Sequence, residues 1–352
     1  MTALKDLMLA QIAHSGPFSI ASFMGDALMH PQYGYYATRD PFGAAGDFTT
    51  APEISQMFGE LIGLALAQTW LDQGAPAPVT LAELGPGRGT LMADILRATA
   101  SVPGFHAAAK VHFVETSPAL RKLQAEAVPH ANWHDHIDSL PDAPLLLVAN
   151  EFFDALPIRQ FIRAGQGWRE RVVGAQDGQL AFGLSDAAPL AQLAHRLADT
   201  KDGDLVEYCP ALPGIVGAMT QRICAHGGAA LIVDYGDWQS LGDTLQALSG
   251  HAPVNPLDAP GDADLTAHVD FAAIATHASP AAYSRLTTQG VFLERLGITA
   301  RAQKLATRLE GDALASHVSA HRRLTHPTEM GDLFKVMALY PATAMPPPGL
   351  ES

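Results

Sequence analysis

The sequence has little cysteine: two in 352 residues, Cys209 and Cys224. With no CxxC pair and no Cys/His finger spacing, that excludes a disulfide framework and a structural zinc site, and it fits a reducing compartment. Charge is also sparse. Asp, Glu, Lys and Arg make up 16% of the chain, below the usual quarter, which excludes a long charged coiled coil or a solvated disordered chain. Positive charge is the scarcer sign: 22 Lys and Arg stand against 36 Asp and Glu, a net charge of -14. Such a chain repels nucleic acid, and its densest basic stretch, residues 301–323, is diluted along one helix-like segment. No run reaches 18 apolar residues, so no membrane span is expected. Residues 1–15 lack an apolar signal core and an Arg-rich transit character, which points to the cytoplasm. The 15 histidines are scattered, with no H-E-x-x-H pattern, so no metal site is expected.

What is abundant is hydrophobic surface, 48% of residues, enough for a full core. Residues 1–70 read as helical, with Leu4, Leu7, Met8 and Ile12 at helical spacing, a second helix capped by Ser19, and a third over about 53–71. Between the last two lies a glycine- and threonine-rich loop bracketed by Pro41 and Pro52. After a break at residues 74–78, short apolar strands at 79–84, 111–114, 145–149 and 229–233 alternate with helices. The pattern predicts an α/β, doubly wound, mostly parallel sheet covered on both faces. Residues 158–184 break the alternation with hairpin signals. A helix is expected over 189–198 and a last edge strand within 332–339. The expected division is an N-terminal helical part over 1–75 and a main domain over 76–350, with inserted hairpins and helix over 158–200.

The strongest motif is Glu83-Leu84-Gly85-Pro86-Gly87-Arg88-Gly89, where a strand turns into a helix. Gly85, Gly87 and Gly89 permit a tight turn with a ligand against bare backbone. The last glycine of G-x-G-x-x-G is absent, and Glu83 sits badly with a pyrophosphate. It suits a cation such as the ammonium of the amino acid part of S-adenosylmethionine. The alternative is an ordinary strand-to-helix turn. Glu115 ends the second strand, where a carboxylate accepts both ribose hydroxyls; alternatively it caps the next helix with Ser117 and Pro118. Asp135 is placed to reach an adenine amino group, or is a turn carboxylate. Asn150, Glu151 and Asp154 follow the fourth strand. An i, i+3 pair in a helical turn puts both carboxylates on one side, where they can hold a guanidinium; alternatively Asn150 caps a short helix. Asp47 and Thr49 belong to a loop read as a lid over the cofactor, or as a helix lead-in. Asp234, Tyr235 and His268 are expected along a substrate channel, though a lone histidine is more often a structural hydrogen-bonder.

Taken together, G-D-F-x-T-x-P-E-I (46–54), F-G-E (58–60), E-L-G-P-G-x-G-T (83–90), V-E-x-S-P-x-L (114–120), N-E-F-F-D-A-L-P (150–157) and V-D-Y-G (233–236) resemble the MidA-like family. These are S-adenosylmethionine-dependent methyltransferases that include the mitochondrial complex I assembly factor 7 branch. The resemblance runs over nearly the whole chain. It implies a seven-stranded, Rossmann-like methyltransferase sheet, S-adenosyl-L-methionine as cofactor and a protein partner with an exposed arginine, on a complex I subunit in the mitochondrial branch. Without a transit segment the chain looks like a bacterial member. Two alternatives are a cofactor-binding assembly chaperone without transfer activity, using an apolar patch on 158–184, and a small-molecule methyltransferase.

Overall fold

Every residue of Val79–Leu84 and Leu145–Asn150 is buried. The two runs pair in parallel at the centre of a sheet in the computed structural model, which describes residues 2–38, 49–250 and 252–352. Strands covered on both faces are apolar throughout, hence their unbroken hydrophobic runs. Alternate side chains enter opposite cores. Val79, Leu81, Leu146, Val148, Leu231 and Val233 pack into one. Ala82, Leu84, Leu145, Leu147, Ala230 and Ile232 pack into the other.

The main-sheet strands are β1 (Val79–Leu84), β2 (Ala109–Val114), β3 (Asn132–His134), β4 (Leu145–Asn150), β5 (Gly228–Asp237) and β6 (Phe334–Tyr340). Across the sheet they run β6-β5-β4-β1-β2-β3. The first five are parallel, and β6 runs antiparallel to β5. The chain steps outward from β1 to β3 and then returns to β4 on the other side of β1. Connections therefore diverge between β1 and β4, and a crevice opens at their carboxyl ends. β6 is not the bare edge expected for it, because Ala282–Tyr283 and Thr287–Thr288 pair along its outer side.

Helices α1 (Ala3–Ser15) and α2 (Ile20–Met29) bury Leu4, Met8, Phe23 and Met24 with Val173 and Leu180 of a second sheet. That sheet is antiparallel and joins Arg159–Ala164, Gly167–Gln176 and Gln179–Leu184 to Phe18–Ser19 and Leu205–Tyr208. Two of its strands thus lie outside residues 158–200. The helix expected over 189–198 is a 3-10 segment, Ala191–Leu197. A third sheet, Gln246–Ser249 with Ala252–Val254 and Asp264–Thr266, gave no clear sequence signal. Its strands are too short to show a period. Among the described residues no helix is long and apolar enough to cross a membrane.

The third helix begins later than expected. Ala51–Ile54 is a separate turn, and Ser55 breaks the chain and caps α3 (Gln56–Asp72) through Met57 N–H at 3.2 Å. The F-G-E motif is a packing device on α3. A Cβ on Gly59 would stand 2.6 Å from Asp94 Cβ, so only glycine lets α4 (Thr90–Thr99) approach. Glu60 is buried between two guanidiniums, Arg97 at 2.6 Å and Arg301 at 2.7 Å. Burial pushes its carboxyl up, but the Arg301 and Arg97 hydrogen bonds outweigh it and hold it below the ordinary value. A depressed acid stabilises the fold above its unfolded pKa and loses that contribution as pH falls through the folded one. Glu60→Gln is therefore expected to lower stability at neutral pH by about 1–2 kcal/mol, a charged hydrogen bond discounted for the half-exposed arginines. The deficit should shrink toward pH 4 in denaturant titrations, and cofactor affinity should not change.

Candidate active site

β1 ends in a turn whose three glycines all need the left-handed region: φ is +60° at Gly85, +53° at Gly87 and +84° at Gly89. Gly85 N–H donates to Val114 O at 3.0 Å, tying the turn to the end of β2. The turn is also held from α5 (Pro118–Ala127). Gln124 there is fully buried and donates to Gly87 O at 2.8 Å and to Glu115 Oε2 at 3.2 Å. Trp133 Nε1 donates to Gln124 Oε1 at 2.9 Å. The sequence reading missed Gln124. Its signal is faint, a single glutamine four residues after Leu120 on the buried face of α5.

Two cavities meet at this turn, of about 400 and 440 Å³, and share Tyr36, Gly85, Gly87 and Glu151. The larger opens over β2 and is lined by apolar side chains such as Leu120, Ile137, Phe152 and Ile215, with Glu115 and Asp135 among them. Ser117 caps α5, so Glu115 does not have to. Glu115 Oε1 accepts Ser117 N–H at 2.7 Å, leaving further lone pairs on both oxygens. Burial raises its carboxyl, against hydrogen bonds from Ser117 and Gln124. Asp135 is 69% exposed and pairs with Arg121 at 2.6 Å.

The smaller cavity is rich in carboxyls: Glu53, Glu83, Glu151, Asp154 and Asp264 line it against one arginine, Arg88, with Asn150, Tyr235 and His268. Residues 151–154 do not form the helical turn expected of them. Glu151 has φ +51°, which stops a helix from starting and leaves Asn150 with no helix to cap. Asn150 Nδ2 instead donates to Glu151 Oε1 at 3.1 Å, and the same oxygen accepts Ala51 N–H at 3.0 Å. Burial pushes Glu151 up to about 7. Asp154 is pushed up to about 6, again by burial, with the neighbouring Tyr235 pulling the other way. Glu83, at the end of β1, is pushed up by burial to about 8. Among the described residues, Glu83 Oε2, Asn150 Oδ1 and Asp154 Oδ1 are buried with no hydrogen-bond partner. Orphaned acceptors are costly unless a ligand supplies donors. Three of them at one acidic cavity fit a cationic, donor-rich ligand.

The structure separates the remaining predicted residues. Tyr235 and His268 stand together in the wall, rings 5.4 Å apart and perpendicular. Asp234 lies behind the wall and not along the channel: it is fully buried and accepts backbone N–H groups. Gly89 caps α4 and lines neither cavity, whereas Thr90 beside it does. Thr49 lines neither cavity; Thr50, Pro52 and Glu53 do. Asp47 and most of the proposed lid lie outside the described residues. Tyr36 was not foreseen. It borders both cavities, and its hydroxyl donates to Asp264 Oδ1 at 3.0 Å.

A methyl group at Gly85 would stand 3.0 Å from the Phe152 ring, in a backbone conformation that L-residues avoid. Gly85→Ala is therefore expected to displace Phe152 and the turn. By calorimetry, affinity for the nucleoside cofactor that the resemblance implies should fall by tenfold or more, the scale of roughly 1–2 kcal/mol of strain.

This arrangement fits the class of α/β proteins that bind a nucleoside-bearing cofactor beside a cationic group. A family model describing S-adenosyl-L-methionine-dependent methyltransferases matches residues 61–290. The mitochondrial protein arginine methyltransferase NDUFAF7 homolog of Drosophila melanogaster is 35% identical over 96% of this chain and 85% of its own length. Human NDUFAF7 is 34% identical over 97% and 84%. A crystal structure from Burkholderia thailandensis with S-adenosyl-homocysteine bound superposes with a TM-score of 0.80 at 27% identity, covering 99% of this chain and 93% of that one. The chain belongs to the MidA-like family of S-adenosylmethionine-dependent methyltransferases, and S-adenosylmethionine is its cofactor.

Proposed function

We propose that this methyltransferase modifies an arginine of a protein partner, on a subunit of the respiratory complex I type, and that the acidic cavity receives the guanidinium. The observation that carries the reading is the set of acceptors on Asn150 and Asp154 that have no partner among the described residues, in a wall with Glu151. A guanidinium offers five N–H donors in a planar fork and stays charged at any physiological pH. The relatives named as protein arginine methyltransferases support it. When bound, S-adenosylmethionine supplies a methyl on a sulfonium, already an activated electrophile. The protein's part is alignment and charge. In this reading the apolar cavity holds the adenosine, with Glu115 on the ribose and Asp135 near the base. Gly85 and Gly87 leave room for the cofactor backbone, and Glu83 faces its ammonium. Asp154 and Glu151 hold the acceptor and take up the proton its nitrogen must lose. The sheet and helices from residue 76 onward form the catalytic domain of the seven-stranded methyltransferase type, with the hairpins of 158–200 as an insertion. The helical part over 1–75 supplies Tyr36 and Glu53. Two free cysteines suit a cytoplasmic setting.

The non-transferring chaperone reading relied on an apolar patch over residues 158–184. Phe161, Trp168, Val173 and Leu180 are buried there, and Leu184 is exposed, so the hairpins offer no continuous patch. Incubation with methyl-labelled S-adenosylmethionine and an isolated complex I subunit fraction tests the proposal. Label on arginine, located by mass spectrometry, is the expected result; label on a small molecule or on no acceptor at all would overturn it.

A further inference from the structure

Asp234 is fully buried on β5, outside both cavities, yet it touches the turn that carries the acidic pair. Its Oδ2 accepts three successive backbone N–H groups, from Phe152 at 3.2 Å, Phe153 at 2.9 Å and Asp154 at 3.3 Å. Its Oδ1 accepts Tyr235 N–H at 2.9 Å. Three consecutive amides converging on one oxygen require a chain that doubles back on itself. That curvature starts at Glu151, in the left-handed region at φ +51°, a conformation a glutamate holds only when its surroundings impose it. Glu151 N–H in turn donates to Val233 O at 2.9 Å, so the turn is pinned to β5 at both of its ends. Burial, then the neighbouring Asp154 and Glu151, raise the proton affinity of Asp234; the amides oppose them.

We propose that Asp234 is a positioning residue. By gathering the amides of residues 152–154 it turns the Glu151 and Asp154 side chains toward the acidic cavity. The proposal rests on the reading of the cavity as the receptor of a positively charged acceptor. Asp234 itself touches neither cofactor nor acceptor. An asparagine of the same shape has one acceptor oxygen and an NH₂ that cannot accept, so it cannot satisfy all four amides.

The test uses two cofactor analogues with the purified full-length chain: S-adenosylhomocysteine, neutral at the transfer point, and sinefungin, which carries an ammonium in place of the methyl. The wild type is expected to bind sinefungin at least about tenfold more tightly, the scale of a charge-assisted hydrogen bond. In Asp234→Asn that ratio should fall to about twofold or less, with S-adenosylhomocysteine affinity nearly kept. A purely structural role would weaken both analogues together. Absence of preference in the wild type would sink the cation-receptor reading. A wild-type ratio retained in Asp234→Asn would overturn the role of Asp234 alone. If Asp234→Asn does not fold, Asp234→Glu, which keeps the carboxyl group and moves its oxygens by one methylene, must lower the ratio. Independently, the amides of 152–154 in the unliganded wild type must exchange slowly; fast exchange there overturns the proposal without any variant.

Discussion

Asp154→Asn is expected to lower methyl transfer by about 100-fold or more while leaving S-adenosylhomocysteine affinity within about threefold, the scale of a lost electrostatic contact in a transition state. Asp154 is buried, Tyr235 stands in the same wall, and Asp154 Oδ1 has no partner among the described residues. Asparagine keeps the volume but cannot carry the charge that holds a guanidinium or take up its proton. Glu151→Gln should cost less. Its amide oxygen can still accept Ala51 N–H, the contact that ties the lead-in of α3 to the site. A transfer assay on an arginine-bearing partner, run beside calorimetry with S-adenosylhomocysteine, separates the two readouts. Near-normal transfer in both variants would move the catalytic role to another lining carboxylate, Glu53 or Asp264.

The second large effect is expected at Glu83. Burial raises this carboxyl to about 8, which favours its protonated form at neutral pH in the unliganded protein. A cationic ammonium beside it favours the ionised form, so cofactor binding should release a proton, and affinity should rise with pH up to about 8. In Glu83→Gln the cofactor should bind about 10–100-fold more weakly at pH 8, the loss of a charge-assisted hydrogen bond. Its affinity should also no longer depend on pH over this range. Stability moves the opposite way. A raised acid contributes stability below its unfolded pKa, and that contribution is lost as pH rises through the folded one. The unliganded variant should therefore melt above the wild type at pH 9 and match it near pH 4. Equal pH dependence of affinity in both proteins would remove Glu83 from the ammonium.

Much of the site was legible because it depends on short stretches of chain. The turn at Gly85, Gly87 and Gly89 needs three left-handed residues directly after a buried strand, and only glycine takes that geometry cheaply, so its sequence announces it. Ser117 before Pro118 marks the start of α5 for the same local reason. The errors have a common source as well. Residues 150–157 carry helix-compatible spacing, yet the chain there is bent by Asp234, about 80 residues away in sequence. The strand expected at the edge is covered by two-residue pairings too short to leave a pattern. Gln124 reads as an ordinary helix residue until its contacts with Gly87 and Glu115 are seen.

The sequence by itself determined the alternation of doubly buried strands with helices, the glycine turn and the carboxylates that end successive strands. These follow from local backbone preference and from the need to cover both faces of a sheet. Only the tertiary structure decided which of those carboxylates face a cavity and which support one. Among the described residues Glu83 and Asp154 each keep a buried oxygen without a partner, whereas Asp234 spends both of its oxygens on backbone amides. That difference is set by burial and by donors brought in from distant parts of the chain. It arises when β5 lies beside β4, and no spacing within either segment encodes it.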